Sequence, residues 1–529
     1  MKNIVDFYPS KSTFTDASDT AFYLTSFQSF SENASAQIRI YHLGCLLYSK
    51  TFHLDKGQRK QLLFIESSML RINSNGQGFI AACDILINGS HKKTLHTAFD
   101  LNPSWAKNPR YGFLSDFYPK REDVNATIEE LVKFHINGLQ FYDWQYRHDQ
   151  LLPDQSEYKD ALGRRLSLTT IKQLMRAAHD YGIACMPYLA IYAASIKYWS
   201  LNKSSALYNA DKKPIMFHDF LGLMDPSPQS VWAEHLAEEC DRTLEKLPFD
   251  GLHIDQYGEP KIAYDAVGKL LDLPAAFISF INHVKEKHTG KTIVLNAVGN
   301  WPIEALCSSD QDFMYIEVWP PAVHYQDLQE IIRNAQMLSK NKPVVLAVYM
   351  PSSWKANIQL SNAIIFASGA TRIEIGEHAR YLSDPYFPKH QEISPSLYKN
   401  LRKYYDFAVA YSEWLKPCNR TPFDFQVTPA EGILMITNRI NRRIILHLIN
   451  THSIQEVRWD KKHRVPAVIK NIQIKIPILN KPKQVQYASP DVDLPHLQPV
   501  KSSFSGKELK ITIPKLKYWT MISIETENK

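Results

Sequence analysis

The first hundred residues alternate between apolar and polar positions in short bursts. SAQIRIYHL (35–43), KQLLFIE (60–66) and GFIAACDILING (78–89) carry this pattern, with Ser, Asn and Gly clusters between them. A period of two is that of a strand with one face buried, so residues 1–105 read as a β-sandwich.

From about residue 110 the pattern changes. Eight short apolar runs alternate with segments of helical period: 110–117, 138–144, 183–190, 251–258, 292–299, 312–319, 343–350 and 371–377. Between the first two, Ile128, Leu131, Val132 and His135 recur at helical spacing; Ile171, Leu174, Met175 and Ala178 do so after the second, with Gly182 as a C-cap. Phe277, Ile278, Ile281 and Val284 line one face after the fourth. The fifth linker has room for a small helix only. Eight strand–helix units predict a (β/α)8 TIM barrel over 106–415. A doubly wound open sheet is the rival, but no GxGxxG follows the first strand and there is no P-loop. A helical patch at 398–414 closes this region. GILMITNR, RIILHLIN, ELKITIPKL and WTMISIE then predict an antiparallel β-sandwich domain over 416–529.

Composition narrows the class. The 529 residues are 44% apolar and 22% charged, which fits a soluble globular protein. The net charge of +7 is dispersed; Arg439, Arg442, Arg443, Lys461 and Lys462 read as solvated surface, so no nucleic-acid partner is expected. No stretch reaches the ~18 apolar residues of a membrane span. The opening MKNIVDFYPSKSTFTDAS lacks an apolar signal core, so the expectation is a cytoplasmic protein, or a secreted one if a leader has been removed. Six cysteines are scattered with no CxxC; most read as buried small hydrophobes, and the pattern favours a reducing compartment.

The chemistry lies at the strand ends, because active sites of such barrels sit at the C-terminal face. In GLHIDQYG, alternation puts His253, Asp255 and Tyr257 on one face, with Leu252 and Ile254 on the other. In DFMYIEVW, Phe313, Tyr315, Glu317 and Trp319 share a face. Asp255 and Glu317 would both point inward, at about the same height on strands four and six. Paired carboxylates with aromatic neighbours are the equipment of glycoside hydrolysis; a structural ion pair for each acid is the alternative. Asp116 and Asp143 close strands one and two. Glu374 closes strand eight beside Arg372, as a sugar ligand or as half of an ion pair. Tyr142, Asp143, Trp144 and His148 crowd the end of strand two, where rings could stack on sugars, and Asn296 at strand five invites the same reading. His148 and Asp149 lack a third ligand at metal spacing. No GxSxG is present.

GFLSDFYP (112–119), INGLQFYDWQYRHD (136–149), LHIDQYGE (252–259), YIEVWP (315–320) and the stretch from ASGATRIEIGEH (367–378) to DPYFP (384–388) resemble glycoside hydrolase family 66, which contains endo-acting dextranases and cycloisomaltooligosaccharide glucanotransferases. The resemblance implies an immunoglobulin-like domain, a barrel and a C-terminal β-domain. It implies a retaining mechanism on α-1,6-glucans (dextran or isomaltooligosaccharides), with Asp255 as nucleophile, Glu317 as acid/base, and no metal or organic cofactor. The family's glucanotransferases carry a carbohydrate-binding module inserted within the barrel region. Here the gap between Met350 and Thr371 holds one helix, which favours a dextranase over a cyclising enzyme. A non-catalytic glucan-binding protein would be expected to lack one carboxylate, and both are present.

Overall fold

The computed structural model describes residues 4–66, 70, 76–416, 421–422, 431–454 and 456–526. Each of the eight predicted runs contains a strand: β1 (Tyr111–Leu114), β2 (Gly138–Phe141), β3 (Ala184–Ala190), β4 (Gly251–Asp255), β5 (Thr292–Val298), β6 (Met314–Glu317), β7 (Val344–Ala347) and β8, in two pieces (Thr371–Ile373 and Ile375–Gly376). Neighbours in chain order pair in parallel. The first piece of β8 bonds to β7 and the second to β1, through Gly376 opposite Phe113. The result is a curled, barrel-like sheet in which first and last strands are neighbours. Their approach needs glycine: a Cβ on Gly112 would lie 2.6 Å from the Ile375 carbonyl oxygen, and one on Gly376 would collide with Phe113.

Strand alternation sorts the side chains into two layers. Tyr111, Phe113, Met186, Val294, Phe313, Tyr315, Val345, Ala347 and Ile373 fill the interior of the curl. Leu139, Leu189, Leu252, Ile254, Leu295, Ile316 and Leu346 join the apolar stripes of the surrounding helices in a larger core. These helices are α1 (Val124–Val132), α2 (Leu168–Asp180), α3 (Val231–Lys246), α4 (Leu273–Lys287), α5 (Ile303–Leu306), α6 (Tyr325–Leu338), α7 (Lys355–Ala367) and α8 (Pro395–Ala410). Ser167, Ser230, Asp272 and Ser394 cap α2, α3, α4 and α8 through their side chains. The stripe predicted on α1 overshoots at His135. The helix ends at Val132, and His135 adopts φ 56° and is buried against Asp406 at 2.8 Å.

The N-terminal region forms a four-stranded and a three-stranded antiparallel sheet around an apolar core of their own. Asp100 at its end receives both terminal nitrogens of Arg110, at 2.9 and 3.1 Å, tying it to the foot of β1. The C-terminal region forms a six-stranded and a three-stranded antiparallel sheet. From it, the Trp459 indole N–H donates to the Ala322 carbonyl at 3.0 Å, on the loop between β6 and α6, while Asn357 of α7 donates to the Trp459 carbonyl at 3.0 Å. Cys83, Cys185, Cys240 and Cys307 are buried as expected; Cys45 is exposed, and Cys418 lies outside the described residues. Among the described residues no helix is long and apolar enough to cross a membrane.

Candidate active site

Asp255 and Glu317 are the last residues of β4 and β6, and Asn296 sits on β5 between them. The Asn296 side-chain nitrogen lies 2.9 Å from Asp255 Oδ1 and 2.8 Å from Glu317 Oε2. Those two oxygens can be no further apart than the sum of these distances. That limit is short of the about 6.5–9.5 Å of an inverting carboxyl pair and close to the about 5–5.5 Å of a retaining one. The Tyr188 hydroxyl donates to Asp255 Oδ2 at 2.9 Å, and the Trp319 indole N–H to Glu317 Oε1 at 3.0 Å. The Tyr349 hydroxyl also reaches Glu317.

Burial pushes both carboxyls up. Asp255 rises to about 7, first through loss of solvent and then through the charge of Glu317; the donated hydrogen bonds pull the other way. Glu317 is raised by its burial against the same kind of opposition from Asn296, Trp319 and Tyr349. Two acids this close influence each other's titration.

The pair opens into a cavity of about 950 Å³, at the upper end of the about 300–1,000 Å³ of small-molecule sites. Tyr142, Asp143, His148, Tyr257, Asn296 and Trp319 line it, as the sequence suggests. Tyr142 stacks on Phe387 with centroids 4.2 Å apart, and Tyr257 on Phe217 at 4.0 Å. Asp143, in the left-handed conformation at φ 50°, is raised by burial to about 7, with Arg164 3.5 Å away. Burial pushes the His148 imidazole down to about 4, so it is neutral.

Three residues expected at the site are not among those lining the cavity. Trp144 is wholly buried, donates its indole N–H to the Tyr188 carbonyl and packs edge-on against Phe249. It follows Asp143, whose left-handed backbone breaks the alternation that would have turned it inward. Glu374 lies at the break between the two pieces of β8, held by Asn362 of α7 at 2.7 Å and near Arg372 at 3.6 Å, so the ion-pair alternative describes it. Asp116, beyond the end of β1, faces His390 at 3.5 Å.

Tyr188 and Tyr349 touch the carboxyl pair and were not singled out from the sequence. The signal existed: Tyr349 continues the inward parity of Val345 and Ala347, and Tyr188 is the hydroxyl within the apolar run IACMPYLA. Away from the cavity, at the opposite end of β3, donor atoms of His179, Cys185 and Asp250 cluster. There Asp250 Oδ2 is already bonded to the His179 ring at 2.8 Å and the Cys185 backbone N–H at 2.7 Å.

Known proteins share this architecture. A solved cycloisomaltooligosaccharide glucanotransferase from Paenibacillus, complexed with cycloisomaltoheptaose, superposes with a TM-score of 0.88 over 98% of this chain and 99% of that one, at 22% identity. Two proteins of Niallia circulans with the same enzyme name are also similar. One is 23% identical over 680 residues, covering 93% of this chain and 68% of its own; the other is 28% identical over 340 residues, covering 59% and 34%. The family model for glycosyl hydrolase family 66 matches residues 11–523. The chain belongs to glycosyl hydrolase family 66.

Proposed function

We propose that this protein cleaves α-1,6-glucosidic linkages within dextran or isomaltooligosaccharides with retention of configuration, chiefly by hydrolysis. The observation that carries the reading is the single Asn296 nitrogen shared by Asp255 and Glu317, which keeps the two carboxyls too close for a water to be activated between them and the sugar. Asp255, solvated by Tyr188 and Asn296, attacks the anomeric carbon. Glu317 gives its proton to the departing glycosidic oxygen as the bond to the anomeric carbon breaks. Water then attacks that carbon, Glu317 takes a proton from it, and Asp255 leaves as a carboxylate. Rings at Tyr142, Tyr257 and Trp319 supply stacking faces for the glucan. The pairing of β8 with both β7 and β1 supports a closed (β/α)8 barrel, and the separate sheets on either side support an immunoglobulin-like domain to about residue 105 and a β-domain from about 416.

Cyclisation is the second reading, favoured by the names of the Niallia and Paenibacillus proteins. Against it stands the segment between β7 and β8, which holds α7 and no inserted module. The alignment with the first Niallia protein spans 680 positions of which this chain fills far fewer, so that protein carries a long stretch without a counterpart here. Dextran digestion, with products resolved by size and the first-formed anomer read by proton NMR, tests the proposal. Linear oligosaccharides of mixed length, released as the α-anomer, are expected. Cyclic products would move the assignment to the second reading, and β-anomers would overturn the retaining mechanism.

A further inference from the structure

Glu317 is buried and Asp255 half-buried, and among the described residues no cation compensates them. Among the described residues, neither Asp255 nor Glu317 has an arginine, lysine or histidine partner within ion-pair distance. The titratable groups around the pair are neutral phenols or further acid: Tyr188 on β3, Tyr315 on β6, Tyr349 after β7, Tyr142 and Asp143 after β2, and Tyr257 after β4. His253, one layer below on β4, is kept neutral by burial and hydrogen-bonded to Tyr111 at 3.2 Å. Two carboxyls this close, with no cation beside them, repel each other once both are ionised.

Asn296 sits between them and donates to both. A primary amide has two N–H bonds, and here each points at a different carboxyl. Its side chain is buried, and its own oxygen Oδ1 has no hydrogen-bond partner. Turning the amide over would aim that oxygen at two acids and leave the nitrogen unused, so the observed orientation is the one the acids select. Resting on the retaining reading above, we propose that Asn296 is a positioning residue: through one nitrogen it fixes the spacing of Asp255 and Glu317 and supports negative charge on the pair, where no cation does. Held apart in this way, the two carboxyls can take different roles, Asp255 as nucleophile and Glu317 as acid.

The experiment compares wild type, Asn296→Ala and Asn296→Ser by two readouts. The first needs no turnover: carboxyl titration by 13C NMR on protein labelled at Asp and Glu side chains, with Asp255→Asn and Glu317→Gln assigning the two signals. Removing a donor to a carboxylate raises its midpoint, so both midpoints are expected to climb by about one pH unit or more in the alanine variant. Serine, with one O–H, can serve only one acid and is expected to restore one midpoint of the two. The second readout is the pH profile of kcat/KM on dextran. Both limbs are expected to move alkaline in Asn296→Ala, with a loss of about 10²-fold at neutral pH. A rise in KM with both midpoints unmoved would make Asn296 a substrate contact and overturn the proposal. Midpoints that move in a protein without activity on any α-1,6-glucan would leave Asn296 as proposed and sink the function instead. Melting curves confirm that each variant is folded before either readout is taken.

Discussion

Two sets of acids withdrawn from solvent in this protein meet opposite fates. Glu377, just past β8, is wholly buried, accepts backbone N–H bonds from Ser115 and Asp116 at 2.8 and 3.0 Å, and pairs with Arg121 at 2.7 Å. Asp100 is equally buried and takes two bonds from Arg110. Burial works against its charge, but Arg110 outweighs it and holds the carboxyl below the usual range. Asp255 and Glu317 have only neutral donors, and burial pushes both upward. The contrast teaches that burial alone does not make an acid reactive. Asp100, hydrogen-bonded to both terminal nitrogens of Arg110, is held as an anion that ties structure together; Asp143, 3.5 Å from Arg164, is raised to about 7 as Asp255 is, into the range where acid–base chemistry operates.

The comparison can be broken by mutation. The largest effect is expected from Asp255→Asn, which removes the proposed nucleophile: kcat on dextran should fall by about 10³-fold or more, measured by reducing ends released. Next, Glu317→Gln should cost about 10²–10⁴-fold on dextran, the range of general acid–base catalysis, and far less on glucosides with good leaving groups, which need no proton. Equal losses on both substrates would remove Glu317 from the acid role. At the other set, Asp100→Asn should leave the chemistry intact but cost about 3–5 kcal/mol in denaturant unfolding at pH 7, because Arg110 is left buried and uncompensated. The carboxyl of Asp100 lies lower in the folded chain than in the unfolded one. Its stabilising contribution is therefore complete above the unfolded value of about 4 and fades as pH falls through the folded one.

The smallest effect runs in the opposite direction. Asp255 sits higher when folded, at about 7. Below about pH 4 it is protonated in both states; as pH rises through its folded value, the native protein is left holding a costly charge. Asp255→Asn should therefore unfold later than wild type at pH 8, by about 2 kcal/mol, and show no such advantage at pH 4. A variant that is inactive and no more stable at pH 8 would mean that the two sets of acids differ less than their partners suggest.

How far the sequence reached depends on where hydrogen-bonded strand pairing stops. Asp255 and Glu317 are terminal residues of their strands, so alternation placed both on the inward face. Trp144 and Asp116 lie past the ends of β2 and β1, and Glu374 falls in the gap of β8; beyond pairing, parity has no physical basis. Tyr257 and Trp319 also lie past their strands, yet reach the cavity because Phe217 and the Glu317 carboxylate hold them there. Those contacts join residues brought together only by the completed fold. The same holds for Arg110 with Asp100 and Arg121 with Glu377: a lone acid reads alike in sequence whether or not an arginine waits for it.

The Trp459 indole fastened to the loop after β6 limits how this enzyme could be trimmed. That loop follows Trp319, which donates to Glu317, so its anchorage extends from the proposed acid to a tryptophan more than a hundred positions downstream. A shortened chain ending after α8 would retain every group proposed to touch sugar and lose the peg beneath one of them. The distal sheets are part of the machine's frame, not cargo it carries.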